Sequence, residues 1–128
     1  MTIILGIICL TVAGCFVEDD PSGGNITAGQ AWGDGTFSDK VDGTGLGYES
    51  VIKVELDIEL GIITAINVTH NESPGIGGVF INKVKPLIVK ANSFEIDAIS
   101  RATCKDTRDG LLDAGKAALN KIPGVNIN

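Results

Sequence analysis

From Val51 to Glu59 the chain alternates without a break: Ile52, Val54, Leu56 and Ile58 are apolar, and Lys53, Glu55, Asp57 and Glu59 are charged. A period of two predicts a strand with one buried face and one wet face. Leu60-Gly61 supplies a turn. Ile62 to Thr69 then alternates less cleanly, with Ile62, Thr64, Ile66 and Val68 set against Ile63, Ala65, Asn67 and Thr69. Together these segments predict an antiparallel hairpin over about 50–69. The pattern then becomes helical over about 78–92, where Phe80, Val84, Leu87 and Ala91 recur with Ile88 beside them. Pro86 should kink that helix or divide it. Phe94, Ile96 and Ala98 alternate with Glu95 and Asp97, which predicts a short strand end, and Ser100 to Asp106 reads as an exposed turn. A last helix over about 106–122 carries Leu111, Leu112, Gly115, Ala118, Leu119 and Ile122 on one stripe. Asp106 or Thr107 would cap it and Pro123-Gly124 would stop it. The class is α+β: an antiparallel sheet built around the central hairpin, with two helices.

Two glycine-rich stretches precede the hairpin. Trp32-Gly33-Asp34-Gly35-Thr36-Phe37 reads as a turn flanked by packing aromatics. Asp42-Gly43-Thr44-Gly45-Leu46-Gly47-Tyr48 has a G-x-G-x-G core but no following Lys-Ser/Thr, and a strand rather than a helix comes next. A dinucleotide site is therefore not expected there. His70 stands two positions from Glu72, but closeness in sequence does not by itself give the geometry of a catalytic pair. A turn with two glycines, Gly75 and Gly77, would let the backbone approach a flat ligand closely.

Ahead of all this, Ile3 to Val12 is almost wholly apolar. The run is too short to span a bilayer and has the length of a signal-peptide core. It ends in Val12-Ala13-Gly14-Cys15, which resembles a bacterial lipobox. Residues 1–14 are read as a lipoprotein signal peptide, 15–30 as a flexible tether rich in Asp, Gly, Ser and Asn, and 31–128 as the domain. Cys9 would leave with the signal peptide and Cys15 would be acylated, so no intrachain disulfide is expected. With three Cys and one His, no zinc-type ligand set is expected either. The formal charge of −6 falls entirely after Cys15 and argues against nucleic acid as a partner. Acyl chains on Cys15 would hold the domain at the extracytoplasmic face of the bacterial cell membrane.

The most specific stretch is Asp97-Ala98-Ile99-Ser100-Arg101-Ala102-Thr103. It places a threonine hydroxyl just before a helix N-terminus, where free N–H groups and the dipole favour an anion. It resembles the D-A-V-S-G-A-T motif of the FMN-binding domain family, with Ile99 for Val and Arg101 for Gly. Two more resemblances occur in order: the aromatic–glycine opening at Trp32, and His70-Asn71-Glu72-Ser73-Pro74-Gly75-Ile76-Gly77, similar to H-x-E-T-P-G-x-G with Ser73 for Thr. The resemblance implies that Thr103 carries FMN by a phosphoester, a phosphoryl threonine made by a flavin transferase. It further implies that Asp97, Ser100 and Ala102 shape the modified turn and that Glu72, Ser73 and Gly75 line the flavin or phosphate pocket. Arg101 could pair with the flavin phosphate or obstruct the transferase. The function implied is a membrane-tethered flavoprotein that relays electrons between a membrane redox complex or quinone-linked dehydrogenase and an acceptor, rather than a self-sufficient enzyme. Two alternatives stand beside it: a flavin-free binding or structural lipoprotein that retains the fold, and a small flavin-dependent reductase.

Overall fold

The computed structural model describes residues 30–127. The expected signal peptide, Cys15 and the tether up to residue 29 lie outside the described residues. The domain opens with three antiparallel strands in sequence order, β1 (Asp39–Leu46), β2 (Val51–Glu59) and β3 (Ile62–Thr69), with β2 in the centre. Three helices follow: α1 (Gly77–Ala91), the single turn α2 (Asp97–Ser100) and α3 (Lys105–Leu119). The α+β class, the central hairpin and both long helices are as the sequence predicts.

β2 places its four apolar side chains, Ile52, Val54, Leu56 and Ile58, at 0–4% exposure. α3 lies against β1 and β2, and α1 against β3, so both long helices cover this face. The opposite face is wet and carries Lys40, Asp42, Lys53, Glu55 and Asp57, joined by exposed ion pairs at 3.3–4.0 Å. The blurred alternation in β3 has a structural cause. Asp57 pairs with Ala65 and Ile58 with Ile63, so Thr64 is an extra residue in the ladder. This bulge turns Ile63 onto the same face as Ile66 and Val68, and the Thr64 hydroxyl donates to the Asp57 carbonyl at 3.1 Å.

The glycine-rich stretch at 42–48, which the sequence presents as an approach to the hairpin, is largely strand β1 itself. Val41, Gly43 and Gly45 stand opposite Leu56, Val54 and Ile52 on the covered face. Gly43 and Gly45 carry no side chain because the backbone of α3 occupies that space. A Cβ on Gly43 would sit 2.6 Å from Ala117 Cβ, and one on Gly45 would sit 3.0 Å from the Ala114 nitrogen. Gly110 answers from the helix side: its Cβ would meet the Leu46 carbonyl oxygen at 2.5 Å.

Pro86 does not divide α1, which runs unbroken through it. The ring sits on the exposed side, and the carbonyl that loses its partner belongs to exposed Asn82, on the solvent side of the helix. The helix ends in a Schellman turn: Asn92 is left-handed (φ 54°), with Ser93 N–H to Ile88 O and Asn92 N–H to Val89 O, both at 3.2 Å. The Asn92 side chain is buried and ties three segments together. It accepts from Ile63 N–H at 2.7 Å and donates to the Gln30 carbonyl at 3.0 Å, while the Asn92 backbone carbonyl accepts from the Trp32 indole at 2.9 Å. Trp32 is thus a packing residue at the opening of the domain.

The turn between β2 and β3 has positive φ at both central residues, Leu60 (51°) and Gly61 (77°), the type I′ pattern. Leucine is poorly suited to the left-handed region and is 61% exposed here, so it recovers little by burial. Leu60→Asn is expected to stabilise the domain by about 1 kcal/mol, raising the melting temperature by roughly 5 °C. A thermal melt that leaves the midpoint unchanged or lowers it would count against this reading of the turn.

Candidate functional site

The stretch from Asp97 to Thr103 is not the end of a strand, as its alternation suggests. Phe94 and Ile96 are buried in unpaired chain, and Ala98 and Ile99 are then buried consecutively, which a period of two does not allow. A single helical turn accommodates them. Its first turn is closed by Ser100 N–H to Ile96 O at 3.1 Å and Arg101 N–H to Asp97 O at 2.9 Å. Asp97, Ser100, Arg101 and Thr103 are exposed, and Ala102 is buried. Ala102 anchors the loop in the core, and Arg108 from the first turns of α3 holds its carbonyl through Nη1 at 3.3 Å. Thr103 therefore stands on a short loop fastened at both sides, immediately before α3.

α3 begins at Lys105, with Cys104 as its N-cap and no side-chain cap. The capping role expected of Asp106 or Thr107 is not observed. Asp106 lies inside the first turn, and Thr107 turns into the protein. Its hydroxyl donates to Glu72 Oε1 at 2.7 Å. Cys9 and Cys15 lie outside the described residues.

Glu72 is the hub of this region. Glu72 is only 4% exposed, and its carboxylate accepts four hydrogen bonds. Tyr48 N–H donates to Oε1 at 2.8 Å, Glu49 N–H to Oε2 at 3.1 Å and the Ser50 hydroxyl to Oε2 at 2.7 Å, in addition to Thr107. Burial pushes this carboxyl up, but the bonds from Ser50, Thr107, Tyr48 and Glu49 outweigh it and hold it below the ordinary glutamate value. The charge is thereby kept, and it joins the β1–β2 turn, the segment before α1 and the start of α3. His70 does not pair with Glu72 as a base. Its Nδ1 accepts the Glu72 backbone N–H at 3.0 Å, which fixes the local turn.

These three segments enclose a cavity of about 470 Å³. Glu72 and Ser73 line it together with Cys104, the neighbour of Thr103, and with the first turn of α3. Gly75 is not in its wall and has open space around it. Gly77 is in the wall and is constrained: a Cβ there would lie 2.9 Å from both Glu72 Cβ and Thr107 Oγ1. The sequence reading missed Tyr48, Ile76 and Thr107 as wall residues. Tyr48 lies in a stretch whose conspicuous feature is its glycines, and Thr107 stands where a helix cap is expected. Among the described residues there is no cluster of His, Cys, Asp or Glu able to hold a metal ion, and no helix is long and apolar enough to cross a membrane.

Comparison with protein families matches residues 47–120 to the model described as the FMN-binding domain. The match begins at the turn that Glu72 holds and ends just past α3, so it contains every wall of the cavity. None of the curated proteins matches the chain.

Proposed function

The chain belongs to the FMN-binding domain family and is a flavin-binding protein with FMN as its cofactor; from that premise we propose that it carries FMN covalently on Thr103 and works as an electron-relaying flavoprotein tethered to the membrane through Cys15. The observation that supports Thr103 most is its place. It is exposed, it is held between a buried Ala102 and the N-terminus of α3, and the next residue lines the cavity. A flavin transferase needs an accessible hydroxyl, and a bound flavin needs adjacent space. The cavity lies within the range of about 300–1,000 Å³ usual for small-molecule sites, and its wall combines apolar surface with a few polar groups. Bound FMN supplies one- and two-electron transfer.

The residues of the chain then divide the work. Arg108 positions the loop through the Ala102 carbonyl, and Glu72 keeps the β1–β2 turn against α3. The partners proposed are a flavin transferase, a membrane redox complex or quinone-linked dehydrogenase as donor, and a separate acceptor.

The test is intact mass of the full chain expressed with an active flavin transferase, followed by peptide mapping of the membrane fraction. The wild type is expected to gain the mass of FMN less one water on the peptide holding Thr103, and Thr103→Ala is expected to gain nothing. Flavin that stays attached to Thr103→Ala after acid denaturation would overturn the site. The same maps read Cys15: a diacylglyceryl group supports the anchor, and an unmodified or disulfide-linked Cys15 removes it.

A further inference from the structure

Resting on the reading that the chain relays electrons, we infer that its electron partner is a protein that docks outside the cavity, over Leu46 and Val51, through an apolar spot ringed by basic residues. The wet face of the sheet is polar along most of its length, with Lys40, Asp42 and Thr44 on β1 and Lys53, Glu55 and Asp57 on β2. At the end next to the β1–β2 turn that rule breaks. Leu46 and Val51 continue the same alternation onto the wet face, where water should favour polar residues. They stand directly opposite one another across the two strands and are 74% and 55% exposed. Their mutual contact supports the hairpin, but it leaves most of both side chains in water. Neither lines the cavity, whereas Tyr48, in the turn that joins them, does. Of the six exposed large apolar side chains among the described residues, four gather at this end: Leu46, Tyr48, Val51 and Ile76. A contiguous apolar patch of this kind marks an interaction surface, and here only the turn separates it from the cavity.

The charges around the patch decide the chemistry of the partner. Glu49 in the turn and Asp106 and Asp113 on α3 are exposed, and none makes an ion pair among the described residues. Asp113 stands beside β1, since a Cβ on Gly45 would lie 3.0 Å from its own Cβ. The lysines on either side are already matched: Lys53 with Asp42 and Glu55, and Lys105 with Asp109. The rim is therefore negative, on a chain whose formal charge is −6. Such a rim draws in a basic surface and repels a second copy of this chain. The patch is also small, which suits the weak, short-lived contacts by which redox proteins pass electrons and part. The turn that presents it is held firmly. Gly47 N–H bonds the Ser50 carbonyl at 2.8 Å, and the Glu72 carboxylate accepts from both Tyr48 N–H and Glu49 N–H. A patch ordered in advance loses little freedom on docking.

The probe is ferric cytochrome c of the mitochondrial type, a basic one-electron carrier. The full chain in a neutral detergent is titrated with it, and amide chemical shifts report the contact. Shifts are expected to centre on Leu46, Tyr48, Glu49, Val51 and Asp113, with affinity falling as salt rises. Leu46→Ser should weaken binding about tenfold through the lost apolar contact. Val51→Thr keeps a β-branched residue in the strand and should weaken it in the same direction, so the result stands even if Leu46→Ser disturbs the hairpin. Glu49→Gln with Asp113→Asn should weaken it at low salt and leave it unchanged at high salt. In stopped flow, the dithionite-reduced flavinylated chain gives one electron to each of two ferric haems, and its flavin N–H protons pass to water. That rate should fall with affinity in each variant, while reoxidation by a small water-soluble quinone stays unchanged. Shifts centred elsewhere, or wild-type affinity in both Leu46→Ser and Val51→Thr, would overturn the docking. So would a wild-type dimer in sedimentation that Leu46→Ser dissociates, which would give the patch to a second copy. The titration needs no flavin, so the two readings fail separately. A chain without FMN mass that still binds through the patch removes the covalent reading and supports the docking surface. A flavinylated chain that reduces the probe equally well in every variant removes the docking surface and leaves the flavin reading intact.

Discussion

Gly45→Ala is expected to cost more than about 3 kcal/mol, at or beyond the upper end of overpacking effects. The new methyl group would fall on the Gly110 carbonyl oxygen, inside contact distance, and 3.0 Å from the Ala114 nitrogen. Both obstacles are helix backbone, which cannot rotate aside as a side chain does. α3 would have to lift from β1, and its first turn would pull Thr107 away from Glu72. A domain of ordinary stability holds about 5–15 kcal/mol, so one methyl group would remove a large share. Urea unfolding followed by circular dichroism reads the loss. Gly75→Ala is the matched control: nothing lies within 4 Å of its added Cβ, and its φ is not positive. That variant should stay within about 0.5 kcal/mol of the wild type. Equal midpoints for the two variants would show that the close approach of β1 and α3 does not bear on stability.

Glu72→Ala is expected to remove about 3–4 kcal/mol and lower the melting temperature by roughly 20 °C. Four donors lose their acceptor together, and the Thr107 hydroxyl among them is buried. Glu72→Gln should cost less, since one carbonyl oxygen still accepts while the amide nitrogen faces a donor. The same carboxylate sets a pH dependence. Its folded value lies below its unfolded value, so its contribution is fully present above the unfolded glutamate value and is lost as pH falls through the folded one. Acid titration of stability should therefore be shallower in Glu72→Gln than in the wild type. Parallel acid curves would assign the pH dependence to other carboxylates.

Much of this was legible from the pattern of residues, and the failures have physical causes. Strict alternation fixes β2 because one face is dry and the other is wet. The same rule is ambiguous for β3, where the bulge at Thr64 moves the apolar phase by one residue. It misleads at Phe94, Ile96 and Ala98, because alternation does not show that Ile99 is also buried and that, among the described residues, no neighbouring strand pairs with this segment. The glycines at 43 and 45 look like turn or ligand-loop residues until the helix that lies on them is seen, since a long-range packing partner leaves no local mark. At the candidate site, the motif residues carried by resemblance are easy to name. The cavity is not, because it is assembled from a turn, a helix start and a loop whose sequence distances are set only by folding. Glu72 illustrates the difference. It stands in a recognisable string, yet its work is to accept bonds from residues up to 35 positions away.

The contact between β1 and α3 also bears on the order of folding. It joins the first strand to the last helix, and Asp42 and Lys121, 79 residues apart, pair across its end at 2.7 Å. Until the last helix is available, the glycine face of β1 has nothing to rest on and the hairpin is only half covered. Contacts this distant in sequence slow folding, because the chain must close a long loop before they form. The loop that bears Thr103 leads directly into that final helix, so it acquires its shape only when the whole domain closes. An enzyme that reads the shape of this loop would therefore act on the finished domain and pass over a chain still being assembled.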